Sequence, residues 1–140
     1  MFDAAGDRNA PYDAPARRDD HVVVIDDYRE HLDVLLAYLE RAGVPATGFT
    51  QPRAGLEHVL AHPPAVVVVN LYMPDMDGIE ISRSLHACLP DVPVIGITGS
   101  RDKRADAYLR LLSQFGATEC LRKPIDGASF LRAVRSARRQ

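Results

Sequence analysis

The sequence is poor in cysteine and has no long hydrophobic run. Its two cysteines, Cys88 and Cys120, lie far apart, one in a helical pattern and the other in a strand pattern. This arrangement favours neither a disulfide framework nor a zinc site, and we expect both side chains to be buried as small hydrophobic groups. No apolar stretch approaches the roughly eighteen residues that a membrane-spanning helix needs. We therefore expect no membrane association.

The chain also lacks an excess of positive charge. Seventeen Lys and Arg residues stand against nineteen Asp and Glu residues, which gives a net charge of -2 at pH 7. Because proteins bind nucleic acids largely through Lys and Arg contacts to phosphates, we expect no nucleic-acid binding by this chain alone. The N-terminal stretch is acidic and contains proline, unlike a secretory signal, which predicts a cytoplasmic protein.

The chain has enough apolar side chains to form the core of one domain. Hydrophobic residues make up 46% and charged residues 26% of its 140 residues, as in ordinary globular proteins. Residues 1–20 show no apolar period and contain Pro11 and Pro15, so we interpret them as a disordered N-terminal tail. A run of β-branched residues follows His21, and we place a single domain at residues 21–140.

Strand and helix patterns alternate through this domain. Runs of β-branched and apolar residues predict strands at 22–25, 44–49, 65–69, 94–97 and 117–121. Apolar residues at helical spacing predict helices from 32 to a left-handed cap at Gly43, at 52–60, at 79–88, at 102–115, and from a cap at Asp126 onward. Such alternation requires right-handed crossovers and a parallel sheet with helices on both faces. The predicted fold class is therefore a doubly wound α/β fold of five βα units.

Polar side chains collect where four of the predicted strands end. Asp26 and Asp27 follow the first strand, Asn70 the third, Thr98 the fourth and Lys123 the fifth. In open α/β sheets the functional site lies at this carboxyl edge. Carboxylates suit a hard divalent cation such as Mg²⁺, while a hydroxyl and an ammonium group suit phosphate oxygens. The pattern indicates a site for a cation and a phosphoryl group.

Residues 21–140 resemble the receiver domain of two-component response regulators. The resemblance rests on the motifs VVVIDD (22–27), MPDMDG (73–78), ITG (97–99), and GA (116–117) followed by KP (123–124). It implies a flavodoxin-like sheet with the strand order 2-1-3-4-5. It also implies that Asp26 and Asp27 form a metal-binding acidic pocket, that Thr98 is the switch hydroxyl and that Lys123 contacts the phosphoryl group. The Lys123-Pro124 peptide bond is expected to be cis.

The sequence departs from this family at the residue that accepts the phosphoryl group. Family members carry an aspartate three residues before the Met-Pro pair, and this chain has Asn70 there. A carboxamide is neutral and its nitrogen lone pair is delocalised, so it should not form a stable acyl phosphate. The pocket also loses one negative charge, and we therefore expect Mg²⁺ to bind weakly if it binds at all, with no other cofactor.

A second departure lies three residues before Lys123. Receivers usually place Tyr or Phe at this position, as a bulky ring that moves when the threonine moves, and this chain has Cys120. Cysteine cannot supply that ring, and burial is favoured over a redox role. The two departures together predict an atypical receiver that is not an enzyme and acts by phosphorylation-independent protein interaction. Its partner would be a histidine kinase or a downstream signalling protein. The sequence leaves open whether the chain also forms a homodimer.

Other functions stay open at this point. A conventional receiver could use Asp75 or Asp77 as a non-standard acceptor, although both lie in a loop that we expect to face water. The vacant pocket could bind a small molecule, and the Asp75-x-Asp77 pair has the form of a phosphatase signature in the wrong place in the fold. The five histidines show no common spacing, and we expect them on the surface; they are His21, His31, His58, His62 and His86.

Overall fold

The computed structural model describes residues 20–73, 76–99, 110, 114 and 117–139. The strands are β1 (Val22–Ile25), β2 (Ala46–Phe49), β3 (Val66–Asn70), β4 (Val94–Thr98) and β5 (Ala117–Arg122). The helices within these residues are α1 (Arg29–Arg41), α2 (Pro52–Ala61), α3 (Gly78–Cys88) and α4 (Gly127–Arg138). The tail predicted at 1–20 lies outside the described residues except for Asp20, and so does the helix predicted at 102–115, except for the helical residues Arg110 and Gln114.

The five strands form one parallel sheet in the order β2-β1-β3-β4-β5, which confirms the predicted fold class and strand order. In this register Ile25 pairs with Val69, and Asn70 pairs with Ile97. All residues of β1, β3 and β4 are buried. Continuous β-branched strands are expected where helices cover both faces of a parallel sheet. The ends of β1, β3 and β4 are therefore held side by side at one edge.

The helices cover the two faces of the sheet with separate apolar clusters. On one face Val22 and Val24 pack with residues of α1 and α4, among them Leu35 and Phe130. On the other face Val23 and Ile25 pack with residues of α2 and α3, among them Val59, Ile81 and Leu85. The alternation along β1 follows from the two-residue period of side chains in a strand. No helix in the described part of the chain is long and apolar enough to span a membrane.

The two helix caps predicted from the sequence are present in the structure. Gly43 ends α1 with φ at 74°, as predicted. The Asp126 carboxylate accepts a hydrogen bond of 2.7 Å from the backbone N–H of Ser129 and caps α4, also as predicted. At α2, Gln51 occupies the N-cap without a side-chain hydrogen bond, and Pro52 begins the helix. Pro52 has no N–H to satisfy and a fixed φ, so the helix can begin there without a capping side chain.

Two expectations about burial are wrong, and strands β2 and β3 begin two residues and one residue later than predicted. Cys88 is exposed because α3 ends at that residue, and the next residue, Leu89, packs against the core instead. His21 is buried, with its Nε2 2.8 Å from the Thr47 hydroxyl, because it precedes β1 and lies against β2. Strand β2 begins at Ala46, since the Val44 N–H donates to the Leu39 carbonyl and closes the end of α1.

Candidate functional site

Asp26 lies at the end of β1 with its carboxylate almost completely buried. Its backbone N–H donates to the Phe49 carbonyl at 3.0 Å, which continues the pairing of β1 with β2. The side chain is 1% exposed. Its Oδ1 accepts a hydrogen bond of 3.0 Å from the Tyr28 N–H, and its Oδ2 is hydrogen-bonded to Nδ1 of His31. Both carboxylate oxygens therefore have partners within the chain.

His31 is a member of the site that sequence reasoning missed, and the expectation that it is a surface residue is wrong. It lies in the first turn of α1, and its side chain is 17% exposed. Long side chains in a helix point back toward the N-terminus, which here brings the imidazole to the end of β1. The signal in the sequence was a histidine five residues after Asp26, with a helix beginning between them.

Asn70 and Asp27 meet as predicted, because β1 and β3 are neighbours in the sheet. The Nδ2 group of Asn70 donates to Oδ1 of Asp27 at 3.3 Å and to the Tyr72 carbonyl at 3.1 Å. Both partners are acceptors, so the NH₂ end of the amide must face them. Asn70 is 7% exposed. The residue at the acceptor position is thus a buried hydrogen-bond donor toward the acidic pocket.

Thr98 and Lys123 lie together at the ends of β4 and β5. The Lys123 N–H donates to the Thr98 carbonyl at 2.8 Å, and the Lys123-Pro124 peptide bond is cis, as predicted. Within the described residues no side-chain hydrogen bond joins either residue to Asp26, Asp27 or Asn70. The Thr98 side chain is completely buried, and its hydroxyl has no hydrogen-bond partner among the described residues. A buried hydroxyl in this condition is uncommon in proteins.

Cys120, in strand β5, is half-buried against a small apolar cluster. It packs against Leu71 and Ile79, and so does Tyr72 from the loop that follows β3. Burial raises the pKa of the Cys120 thiol, and the carboxylate of Glu119 raises it further. A raised pKa disfavours the reactive thiolate. In place of the aromatic ring that the family resemblance leads us to expect, this position therefore holds a small thiol that packs, like Tyr72, against Leu71 and Ile79.

The loop between β3 and α3 uses Asp77 as a helix cap. The Asp77 carboxylate accepts from the Glu80 N–H at 2.9 Å, and the Glu80 carboxylate accepts from the Asp77 N–H at 3.4 Å. Gly78 follows because a Cβ there would lie 2.7 Å from the Asn70 carbonyl oxygen. Asp77 and Gly78 thus begin α3 and allow its first turn to pack closely against the backbone of Asn70. Asp75 lies outside the described residues.

Comparisons with known proteins agree with this geometry. The family model for the response regulator receiver domain matches residues 22–135. The regulatory protein VirG of Agrobacterium fabrum is 35% identical over 119 residues, covering 85% of this chain and 46% of its own length. The phosphoglycerate transport system transcriptional regulatory protein PgtA of Salmonella typhimurium is 32% identical over 121 residues, covering 85% of this chain and 28% of its own. The chain therefore spans less than half the length of these relatives.

Solved structures show the same fold. A response regulator receiver domain protein from Clostridium thermocellum is 26% identical, with a TM-score of 0.77 over 85% of this chain and 94% of its own. A CheY-like receiver domain protein from Methanospirillum hungatei has a TM-score of 0.78 at 20% identity, over 86% of this chain and 94% of its own. The chain belongs to the response regulator receiver domain family. It is a receiver domain of two-component signalling with a flavodoxin-like fold.

Proposed function

We propose that this receiver works in two-component signalling by binding a protein partner without being phosphorylated at residue 70. The observation that carries the proposal is the amide of Asn70, whose Nδ2 donates to Asp27 and to the Tyr72 carbonyl. Transfer of a phosphoryl group to this position requires a negatively charged oxygen nucleophile. Asn70 presents a neutral NH₂ group to the pocket instead.

The neighbouring aspartates give little support for a substitute acceptor. Asp26 is 1% exposed and both of its oxygens accept hydrogen bonds. Asp77 caps α3 and is bound to the first turn of that helix. Using either carboxylate as a nucleophile would break contacts that hold β1 or α3 in place. These contacts favour a phosphate-independent module over a conventional receiver with a non-standard acceptor.

The partner we propose is a histidine kinase or a downstream signalling protein, in the cytoplasm. Receiver domains are signalling modules, and the VirG and PgtA relatives are regulatory proteins by name. The net charge of -2 gives this chain no electrostatic preference for nucleic acid. The chain would then influence its partner through its surface, without catalysing a reaction, and Mg²⁺ would not be required.

The proposal is tested by intact mass measurement after incubation with acetyl phosphate and Mg²⁺. The wild-type protein and the Asn70→Asp variant are treated in parallel, and the variant is the matched control for a competent pocket. We expect no phosphoryl group on the wild type and a gain of one on Asn70→Asp. A phosphoryl group on an aspartate of the wild-type protein, located by peptide mapping, would overturn the proposal.

A further inference from the structure

We propose that the acidic pocket is closed to Mg²⁺ by two side chains that donate N–H groups to its carboxylates, those of Asn70 and His31. The proposal deepens the proposed function, on which it rests, by saying what occupies the carboxylates in place of the cation. Asn70 donates to Asp27, and the imidazole of His31 is hydrogen-bonded to Asp26. Each of the two adjacent carboxylates is thus provided with a donor from another part of the same chain.

The ligands that Mg²⁺ requires are not offered by this arrangement. Mg²⁺ takes oxygen ligands at about 2.0–2.1 Å in nearly ideal octahedral geometry and gives up its waters reluctantly. Among the described residues no three His, Cys, Asp or Glu side chains are grouped so that they could hold a metal ion. With Asn70 in place of an aspartate the pocket has two carboxylates, so its negative charge, and with it the attraction for a cation, is lower by one unit. The residues present therefore do not fit the cation that the family resemblance implies.

The amide of Asn70 opposes a cation by its orientation. Its positively polarised NH₂ end faces Oδ1 of Asp27, at 3.3 Å. Turning the amide so that its oxygen faced a cation would break this bond and the bond of 3.1 Å to the Tyr72 carbonyl. Two acceptor oxygens would then face each other whenever the cation was absent. The orientation that binds metal is thus disfavoured in the free protein.

His31 opposes a cation at the other carboxylate. The Asp26 side chain is 1% exposed, with the Tyr28 N–H on Oδ1 and the His31 ring on Oδ2. A cation or its bound water could reach Oδ2 only by sharing it with the imidazole or by displacing the ring. Displacement would leave a partly buried imidazole nitrogen without its partner, at a cost comparable to a lost hydrogen bond. His31 is therefore a positioning residue that competes with the metal for Asp26.

The test is titration with MgCl₂, followed by calorimetry and by backbone amide shifts. Four proteins are compared: wild type, Asn70→Asp, Asn70→Asp with His31→Ala, and Asn70→Asp with His86→Ala. His86 is an exposed histidine in the last turn of α3 and is the matched control. Amide spectra recorded before titration show whether each variant is folded. If Ala at position 31 prevents folding, His31→Met removes the donor, keeps the bulk and is interpreted in the same way.

We expect no saturable Mg²⁺ binding by the wild type and weak binding by Asn70→Asp. Adding His31→Ala should tighten the dissociation constant of Asn70→Asp by about fivefold or more, the effect of removing one competing hydrogen bond. Adding His86→Ala should leave it unchanged. The proposal is overturned if wild type binds Mg²⁺ as tightly as Asn70→Asp, or if His31→Ala has no more effect than His86→Ala. Neither result would by itself overturn the proposed function, which fails only if the wild-type protein is phosphorylated.

Discussion

At the ends of β1 and β3, the carboxylates of Asp26 and Asp27 accept hydrogen bonds from His31, Tyr28 and Asn70. At the end of β4, a short distance along the same edge, the buried hydroxyl of Thr98 has no partner among the described residues. Proteins rarely bury a polar group without a hydrogen bond, so the Thr98 hydroxyl is the exceptional group at this edge. In the acidic half of the edge, formed by Asp26 and Asp27, the carboxylates accept hydrogen bonds from the same chain, whereas in the Thr98 half the buried hydroxyl has no partner among the described residues.

The largest effect on stability is expected at Asn70. Asn70 is 7% exposed, and its amide donates to Asp27 and to the Tyr72 carbonyl. Asn70→Ala removes both hydrogen bonds. Leaving these acceptors without a donor should lower the free energy of unfolding by about 1–3 kcal/mol. Urea denaturation followed by circular dichroism measures the change. A loss below about 0.5 kcal/mol would show that the acidic half is not held by this amide.

The next largest effect is expected in the rates at which the two cysteines are alkylated, with each serving as the internal control for the other. Cys88 is exposed, whereas Cys120 is half-buried and its thiol pKa is raised by burial and by Glu119. Because the thiolate is the reactive species, iodoacetamide should modify Cys88 at least about tenfold faster than Cys120 in the folded protein. Mass spectrometry of the wild type and of Cys88→Ser assigns the two rates. Equal rates would contradict the half-buried position of the Cys120 thiol.

A smaller effect of the opposite kind is expected at Thr98. Thr98→Val replaces a buried hydroxyl that has no partner among the described residues with a methyl group of similar shape. The free energy of unfolding should stay the same or rise by up to about 1 kcal/mol, since no hydrogen bond is lost and valine suits a buried strand. Urea denaturation gives the comparison with Asn70→Ala. A loss of more than about 1 kcal/mol would mean that the hydroxyl is satisfied and that the two halves do not differ.

The smallest effect concerns Asp126, an exposed carboxylate that contrasts with the buried Asp26. Hydrogen bonds from the N–H and the hydroxyl of Ser129 lower the pKa of Asp126 from its ordinary value of 3.8. A lowered pKa in the folded state gives stability that is present above the ordinary value and lost as the pH falls through the lowered one. Wild type should thus exceed Asp126→Ala in stability at neutral pH, and the difference should shrink in acid. A difference that does not change with pH would contradict this assignment.

Much of the fold could be predicted because its strands are continuous runs of β-branched residues. The bounds of β1 are as predicted, and β4 extends one residue beyond the predicted 94–97, to Thr98. Strand β2 begins two residues later than predicted, because Val44 is a residue type typical of strands but its N–H closes the end of α1. Short apolar residues at the junction of a helix and a strand can belong to either, and backbone hydrogen bonding decides between them.

The sequence predicts which carboxylates lie at the candidate site, but it does not predict all of the hydrogen bonds that they accept. Parallel strand ends share an edge, so the meeting of Asp27 with Asn70 follows from the topology. The contact between Asp26 and His31 depends on where α1 begins and on the direction of one side chain, and neither has a motif. Cys88 shows the same limit, because its exposure depends on the residue at which α3 ends.

The central claim is that the pocket of the wild-type protein does not respond to a phosphoryl group. The most direct measurement is the backbone amide spectrum of wild type before and after addition of Mg²⁺ and beryllofluoride, which mimics a phosphoryl group on a carboxylate. We expect no shifts at the ends of β1, β3 and β4 in the wild type, and clear shifts there in Asn70→Asp. Saturable shifts around Asp27, Asn70 and Thr98 in the wild type would contradict the account.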